Sequence, residues 1–384
     1  MELREYNKED IYGLRVILRC DLDVKTGEDG FVEKFQSLRL ERIIPQIKEL
    51  VEFGAKQIII IGHKGRPEGF DPKFSLAPVC DHLSDLCKQE DVCEPIVFVD
   101  NIFAEKSVFS NERVIMLENL RFDKGERQNS EDFAQKLALW GDVYINNAFG
   151  SSHRDEASIS LLPKFIKESF AGIGLRKEIE ELENFLSKEA FPKIAVLGGS
   201  KISTKLPLIK ILSSKCDKVL LGGALANSVL EARGFNIGKS LNEKVSTQDA
   251  EILSNENIII PEDVVLEDGR TCLVSEVGNE DLIFDIGPIT NKKFVQEIYD
   301  AKSILWNGPM GKIEDEKFFL GTKSVALAIA TNEKASTVAG GGETLEAIDR
   351  IGILNDFDFV STGGGAMLYF LSSEDMPGLE VLKI

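Results

Sequence analysis

The chain has 384 residues, 43% of them hydrophobic and 28% charged, and its 64 acidic against 45 basic residues leave a formal net charge of −19. Such a length suits two or three domains, and so large an acidic surplus excludes the basic face needed to grip nucleic acid or an anionic membrane. The longest run of Ile, Leu and Val, Ile58 to Ile61, falls far short of the roughly 18 residues of a membrane span.

The first ten residues alternate charge without an apolar core and do not read as a secretory signal. Six scattered cysteines without a Cys-x-x-Cys pair, beside only three histidines, exclude zinc-ligand spacing and read as reduced thiols of a cytosolic protein.

Along the chain, short β-rich runs alternate with helical patterns. The first half offers strands at Arg15–Arg19, Gln57–Ile61, Ile96–Val99, Val114–Leu117 and Val143–Ile145, with helices at Leu40–Phe53 and Ala77–Leu86 between them. The second half offers Ile194–Leu197, Lys218–Leu221, Ile258–Ile260, Ser303–Leu305, Thr337–Val338 and Phe359–Val360. Mostly continuous apolar strands separated by helices imply parallel sheets covered on both faces. An amphipathic stretch, Leu175–Leu186, reads as a helix joining two doubly wound domains. No short-period repeat or low-complexity tract interrupts the pattern.

Glycine clusters follow several of these strands: Gly198-Gly199, Gly222-Gly223, Gly340-Gly341-Gly342 and Gly363-Gly364-Gly365. Bare backbone and a helix N-terminus at such a turn suit an anion, and four clusters in one half of the chain point to a nucleotide. No Gly-x-Gly-x-x-Gly occurs, and Gly234 to Ser240 has one spacer too few for a Walker A loop. Lys201 and Lys205, four apart, are expected on one face of the helix after the first cluster, reaching the phosphates together. In the first half Arg39, expected near a helix start, joins His63 and Arg66 in GHKGRPEG, Arg121 in LENLRF, and His153-Arg154. Gathered at one sheet edge, these would bind a small polyanion.

The ordered set RCDLDV, RLERIIP, GHKGRPEG, LENLRF, GDVYINNAFGSSHR, AVLGGSKISTK, GGALANSVLEARG, DIGPIT, WNGPMGKIE, AGGGET and VSTGGGA resembles the phosphoglycerate kinases over nearly the whole chain. The resemblance implies an α/β protein of two Rossmann-like doubly wound parallel-sheet domains joined by an interdomain helix and hinge. Residues 1–170, completed by 367–384, would bind the triose; 171–187 would be the interdomain helix; 188–366 would bind nucleotide. It implies reversible phosphoryl transfer between 1,3-bisphosphoglycerate and ADP, giving 3-phosphoglycerate and ATP, with Mg2+ on the nucleotide and hinge closure aligning the substrates. A cytoplasmic monomer without nucleic-acid or membrane partners is expected.

Residue by residue, the resemblance assigns the triose site to Asp21, Asp23, Arg39, His63 through Arg66, Arg121 and Arg154. The nucleotide falls to Lys201, Lys205, Glu314 and the turn Gly341-Gly342-Glu343-Thr344, with Glu343 serving the magnesium directly or through water. Arg39 and Lys201, with backbone N–H groups around Gly342 and Gly365, would neutralise the phosphoryl group in transfer. The acceptor is a carboxylate, a group whose usual pKa of roughly 3.3–3.9 leaves it ionised at neutral pH, so no general base is required. Alignment and charge neutralisation then carry the catalysis.

Five departures from the family pattern stand out. Asp23 replaces an asparagine and Asn147 an aspartate, two changes that would compensate if the side chains were close. Glu343 is one methylene longer than the usual aspartate. Asp155-Glu156 replaces Ala-His, and Ile283 stands where a glycine is common beside the adenine pocket. They motivate two alternatives: a kinase with an altered acceptor, and a non-catalytic nucleotide-binding relative.

Overall fold

The apolar runs become parallel strands with helices on both faces. The computed structural model describes residues 1–27, 32, 34–93, 95–187 and 189–384, so the expected domain boundary at residue 188 lies outside the described residues. The chain divides into two compact units, residues 1–180 with 375–384, and residues 181–374. Residues 367–374, expected with the C-terminal return, belong instead to the second unit, because the helix Gly365–Leu371 packs on the helix Leu206–Lys215. The return itself holds to the first unit through Arg4 N to Leu382 O and Gly378 N to Ser152 O.

In the first unit β1 (Arg15–Arg19), β2 (Gln57–Ile61), β3 (Val97–Val99), β4 (Val114–Leu117), β5 (Val143–Asn146) and β6 (Glu168–Ala171) form one parallel sheet, ordered β3-β4-β2-β1-β5-β6. Alternate residues serve opposite faces. Val16, Leu18, Ile58 and Ile60 pack in one buried cluster, while Ile17, Ile59 and Ile61 pack in the other.

The second unit holds a parallel sheet of β7 (Lys193–Leu197), β8 (Lys218–Leu221), β9 (Ile258–Ile259), β13 (Ser303–Asn307), β14 (Ser336–Gly340) and β15 (Phe359–Ser361), ordered β15-β14-β13-β7-β8-β9. Between β9 and β13 the chain forms an antiparallel sheet of β10 (Asp263–Leu266), β11 (Thr271–Leu273) and β12 (Ile283–Ile286), which the apolar pattern did not reveal.

Three local expectations are corrected. Leu40–Phe53 is not one helix: Lys34–Glu41 ends and Ile44–Glu52 begins anew with Pro45 in its first turn, where a missing N–H is tolerated as it is not in a helix interior. Arg39 therefore lies in a last helical turn, not near a start. Lys201 and Lys205 share no helical face, since the helix begins only at Leu206, and Lys205 is its capping residue.

Candidate functional site

In each parallel sheet the strand order reverses at one point, between β1 and β5 in the first unit and between β7 and β13 in the second. Open α/β sheets take ligands in the crevice outside the carboxyl ends of the strands at such a point. The candidate residues of each unit follow those ends.

In the first unit the centre is Arg19, the last residue of β1, whose side chain is fully buried. Its Nε donates to Ser158 Oγ at 3.0 Å and its Nη2 to His63 Nδ1 at 2.7 Å. Because a guanidinium only donates, His63 Nδ1 must accept, which puts the imidazole proton on Nε2, 4.0 Å from Asp23 Oδ2. Burial, followed by the charges of Arg19, Arg121, Arg154 and Arg39, pushes His63 well below its usual pKa. A neutral ring thus sits among four guanidiniums. Beneath them the buried Glu126 accepts from Ser158 Oγ and N; burial raises its pKa against the opposing charge of Arg19.

Asp23 and Arg39 fix the rim. Arg39 Nη1 donates to the Asp23 carbonyl at 2.6 Å and lies 3.9 Å from Asp21 Oδ1, while Asp23 Oδ1 accepts from Gly65 N at 2.8 Å. Arg66 is exposed on the same 63–66 loop. Arg121 is held deeper: Nη1 donates to Gly65 O and Nη2 to Glu156 Oε1, both at 2.5 Å. Its side chain is only 1% exposed, against 28% for Arg154 and 24% for Arg39, so the latter two face solvent. Among the described residues the buried Nε atoms of both Arg121 and Arg154 find no hydrogen-bond partner. Orphaned cationic donors in a crevice are what an anionic ligand would satisfy.

Asp23 and Asn147 serve different partners. Asn147 Oδ1 accepts from Gly174 N at 2.7 Å, capping the start of the helix Ile173–Ser187, whereas Asp23 serves the 63–65 loop. The motifs assign no role to Arg19, Glu126 or Glu156. A charged residue closing the buried run RVILR was the available signal for Arg19.

In the second unit the strand ends approach backbone to backbone. A Cβ on Gly198 would lie 1.9 Å from Pro309 O, and Gly308, at φ +98°, would press one against Gly198 and Lys205 Nζ. Lys205, though capping a helix N-terminus, turns its ammonium inward to Gly198 O at 2.5 Å and Asn307 O at 3.1 Å. Burial pushes its pKa down to about 8, opposed by the charge of Glu343. Gly341, at φ +103°, turns the chain into the helix Gly342–Ile351, with Glu343 exposed in its first turn. Thr344 is buried, its Oγ1 accepting from Gly308 N at 2.7 Å, and so braces the turn from behind. Lys201 is exposed, as is Gly365 at the start of its own helix.

Beside these groups lies a cavity of about 320 Å³, lined by Gly199, Gly223, Leu241, Ile283, Met310 and Glu314 among others. Its walls are mainly apolar, with charged groups at Lys312, Glu314 and Glu343, the composition of a site for a flat ring carrying a polar tail. Ile283 takes part in the wall, with its N–H fixed on Ser240 Oγ at 2.8 Å. Asp285 lines the cavity too, accepting from Ile286 N and Gly321 N at 2.8 Å each; burial raises its pKa to about 7 against those bonds. Among the described residues no group of three or more metal-ligating side chains occurs.

Comparison with known proteins agrees with this arrangement. The family model for phosphoglycerate kinase matches residues 6–374. A phosphoglycerate kinase of Leptospira biflexa is 38% identical, with 100% of this chain and 98% of that protein covered. One from Nostoc sp. is 36% identical over 97% of this chain and 96% of its own length. The solved phosphoglycerate kinase of Coxiella burnetii superposes with a TM-score of 0.82 at 33% identity, covering 97% and 96% of the two chains. That of Pyrococcus horikoshii OT3 gives 0.83 at 29% identity, covering 98% of each. A parallel six-stranded sheet in each unit, a cation cluster on one, a glycine-lined crevice on the other and matches along nearly the whole length agree: the chain belongs to the phosphoglycerate kinase family.

Proposed function

We propose that the first unit binds 3-phosphoglycerate at the Arg39, His63, Arg66, Arg121 and Arg154 cluster, and that the second binds ATP or ADP in the crevice of Lys205, Glu314 and Gly341 to Thr344. The observation that carries this reading is the neutral His63 among four guanidiniums, with buried Nε atoms of Arg121 and Arg154 unpaired among the described residues. Such a cluster favours a compact dianion over a neutral ligand. Asp21 and Asp23 orient Arg39 and the 63–65 loop from below.

On the nucleotide side, Lys205 meets the phosphates and Glu314 the ribose, and the apolar cavity takes the base. Lys201 and Arg39, with N–H groups at Gly342 and Gly365, neutralise the phosphoryl group in transfer. Mg2+ suits this site, because it keeps most of its waters and needs only one or two carboxylates beside the phosphates. Glu343, exposed on the first turn of its helix, is the residue to hold it, directly or through water. When bound, the ion offsets the negative charge of the nucleotide phosphates. We further take the protein to be a cytoplasmic monomer, in keeping with six free cysteines and, among the described residues, no helix long and apolar enough to cross a membrane.

The test is turnover of 3-phosphoglycerate with MgATP, coupled to reduction of the acyl phosphate. Absence of turnover, with nucleotide binding intact, would refute the acceptor assignment. A second reading, an altered acceptor, is favoured by one feature, the carboxylate of Glu156 on Arg121. Under it, other phosphorylated carboxylic acids would turn over faster than 3-phosphoglycerate.

A further inference from the structure

The cation cluster already contains an anion. Glu156 Oε1 lies 2.5 Å from Arg121 Nη2 and 4.0 Å from Arg154 Nη1. Its other oxygen, Oε2, is buried and, like the Nε atoms of both arginines, has no hydrogen-bond partner among the described residues. A guanidinium carries five N–H donors, and the bonds to Gly65 O and Glu156 occupy two of those on Arg121. The ion pair is therefore short but poorly satisfied, and buried polar atoms left bare are costly. A second carboxylate, the fully buried Glu126, feels Glu156 as a like charge. Glu156 itself is on extended backbone, at φ −117° and ψ 153°, immediately before the helical turn Ala157–Leu161. Its side chain can leave Arg121 without unwinding that turn.

We propose that Glu156 is an internal occupant of the acceptor site, holding the place at Arg121 that a phosphate or carboxylate of the substrate takes, so that acceptor binding is an exchange of anions. The proposal rests on the acceptor-site reading above. Two consequences follow from its physics. In the free protein Glu156 keeps Arg121 from being a buried uncompensated charge, so it contributes stability. In the complex it competes, so it weakens affinity. One residue thus moves stability and affinity in opposite directions, which a merely structural ion pair does not do.

The experiment is calorimetric titration of wild type, Glu156→Gln and Arg121→Met/Glu156→Gln with two probes, inorganic phosphate and 3-phosphoglycerate, together with melting curves. E156Q is expected to melt lower when free and to bind both probes roughly 5- to 150-fold more tightly, the usual range for coupled ligands. Its melting point should also rise further than wild type's at equal ligand. The double variant should lose that gain, since the site vacated by Glu156 then lacks its cation. Phosphate binding by E156Q that is unchanged or weaker overturns the proposal. Should E156Q fail to fold, Glu156→Asp withdraws the charge by one methylene and must shift phosphate affinity the same way by a smaller factor; an unchanged affinity again overturns it. If phosphate tightens while 3-phosphoglycerate binds to neither protein, the exchange stands and the acceptor assignment falls.

Discussion

Replacing Lys205 by methionine separates the cost of a buried charge from its use. The Lys205 pKa falls from 10.5 to about 8, a shift equivalent to about 3 kcal/mol. Because the folded value lies below the unfolded one, the folded protein binds fewer protons. The penalty is complete below pH 8 and fades as pH rises towards the unfolded value near 10.4. Methionine keeps most of the stem and removes the ammonium. It also removes the bonds to Gly198 O and Asn307 O, each worth about 1 kcal/mol. The free variant should therefore be as stable as wild type at pH 7, or more stable by about 1 kcal/mol. Nucleotide phosphates lose a charge-assisted partner worth roughly 1.5–3 kcal/mol, so KM for ATP should rise roughly 10- to 100-fold. KM for 3-phosphoglycerate should hold. Initial rates with each substrate varied, and melting curves with and without MgATP at pH 7 and 9, measure all of this. Wild-type affinity for ATP should weaken above pH 8, and that dependence should vanish in the variant. Equal losses for both substrates, or a free variant that melts well below wild type, would refute the reasoning.

Asp23→Asn keeps an acceptor for Gly65 N but removes a carboxylate 4.0 Å from His63 Nε2 at the rim of the cation cluster, so KM for 3-phosphoglycerate should fall severalfold, an effect of about 1 kcal/mol or less; an unchanged or higher KM counts against the site. Asp285, raised to about 7, binds more protons folded than unfolded between about pH 4 and 7, so wild type should lose stability relative to Asp285→Asn as pH rises through that window, measured by denaturant melts of both. His63, held well below its usual pKa, should show a single Nε2–H tautomer by nitrogen NMR with no titration near 6.5, and its burial should cost stability as pH falls below about 6.5; a titration near 6.5 would contradict its placement. Arg19→Met strands Glu126 and should cost roughly 3–5 kcal/mol, most of it recovered in Arg19→Met/Glu126→Gln by the same melts.

All but one of the strands of the two parallel sheets were legible because burial on two faces writes itself as an unbroken apolar run, as at Gln57–Ile61. β6 escaped, being four residues beginning with Glu168, as did the antiparallel β10 to β12, where β11 is largely exposed. Asp268-Gly269 between β10 and β11 was a hairpin signal, with Gly269 at φ +86°, but no alternating run framed it. At the site, motif order gave residue identities, while depth came only from coordinates. Nothing in LENLRF says that Arg121 is buried and clamped whereas Arg154 is open. Lys205 shows why spacing misleads: four residues from Lys201 suggests a shared face, yet the intervening turn sends one ammonium inward and leaves the other exposed.

A protein with a net charge of −19 can bind a polyanion because the exterior and the site act at different ranges. Surface charges are screened beyond about 8 Å at physiological salt, while a buried cluster is screened far less. The constraint is then internal. Arg19, Arg39, Arg121 and Arg154 all act on His63, and like charges so gathered need counter-charges to assemble. Glu126, Glu156, Asp21 and Asp23 are those charges, and each trades affinity for assembly by an amount set by its depth. Asp23 has a side chain 41% exposed and also bonds backbone, so its charge is screened and its shape matters more. Glu156 has a side chain 10% exposed, and among the described residues its carboxylate pairs with Arg121 and Arg154, so its charge acts nearly undiluted. Glu156→Gln should therefore raise acceptor affinity more than Asp23→Asn, and adding salt should shrink the effect of Asp23→Asn first.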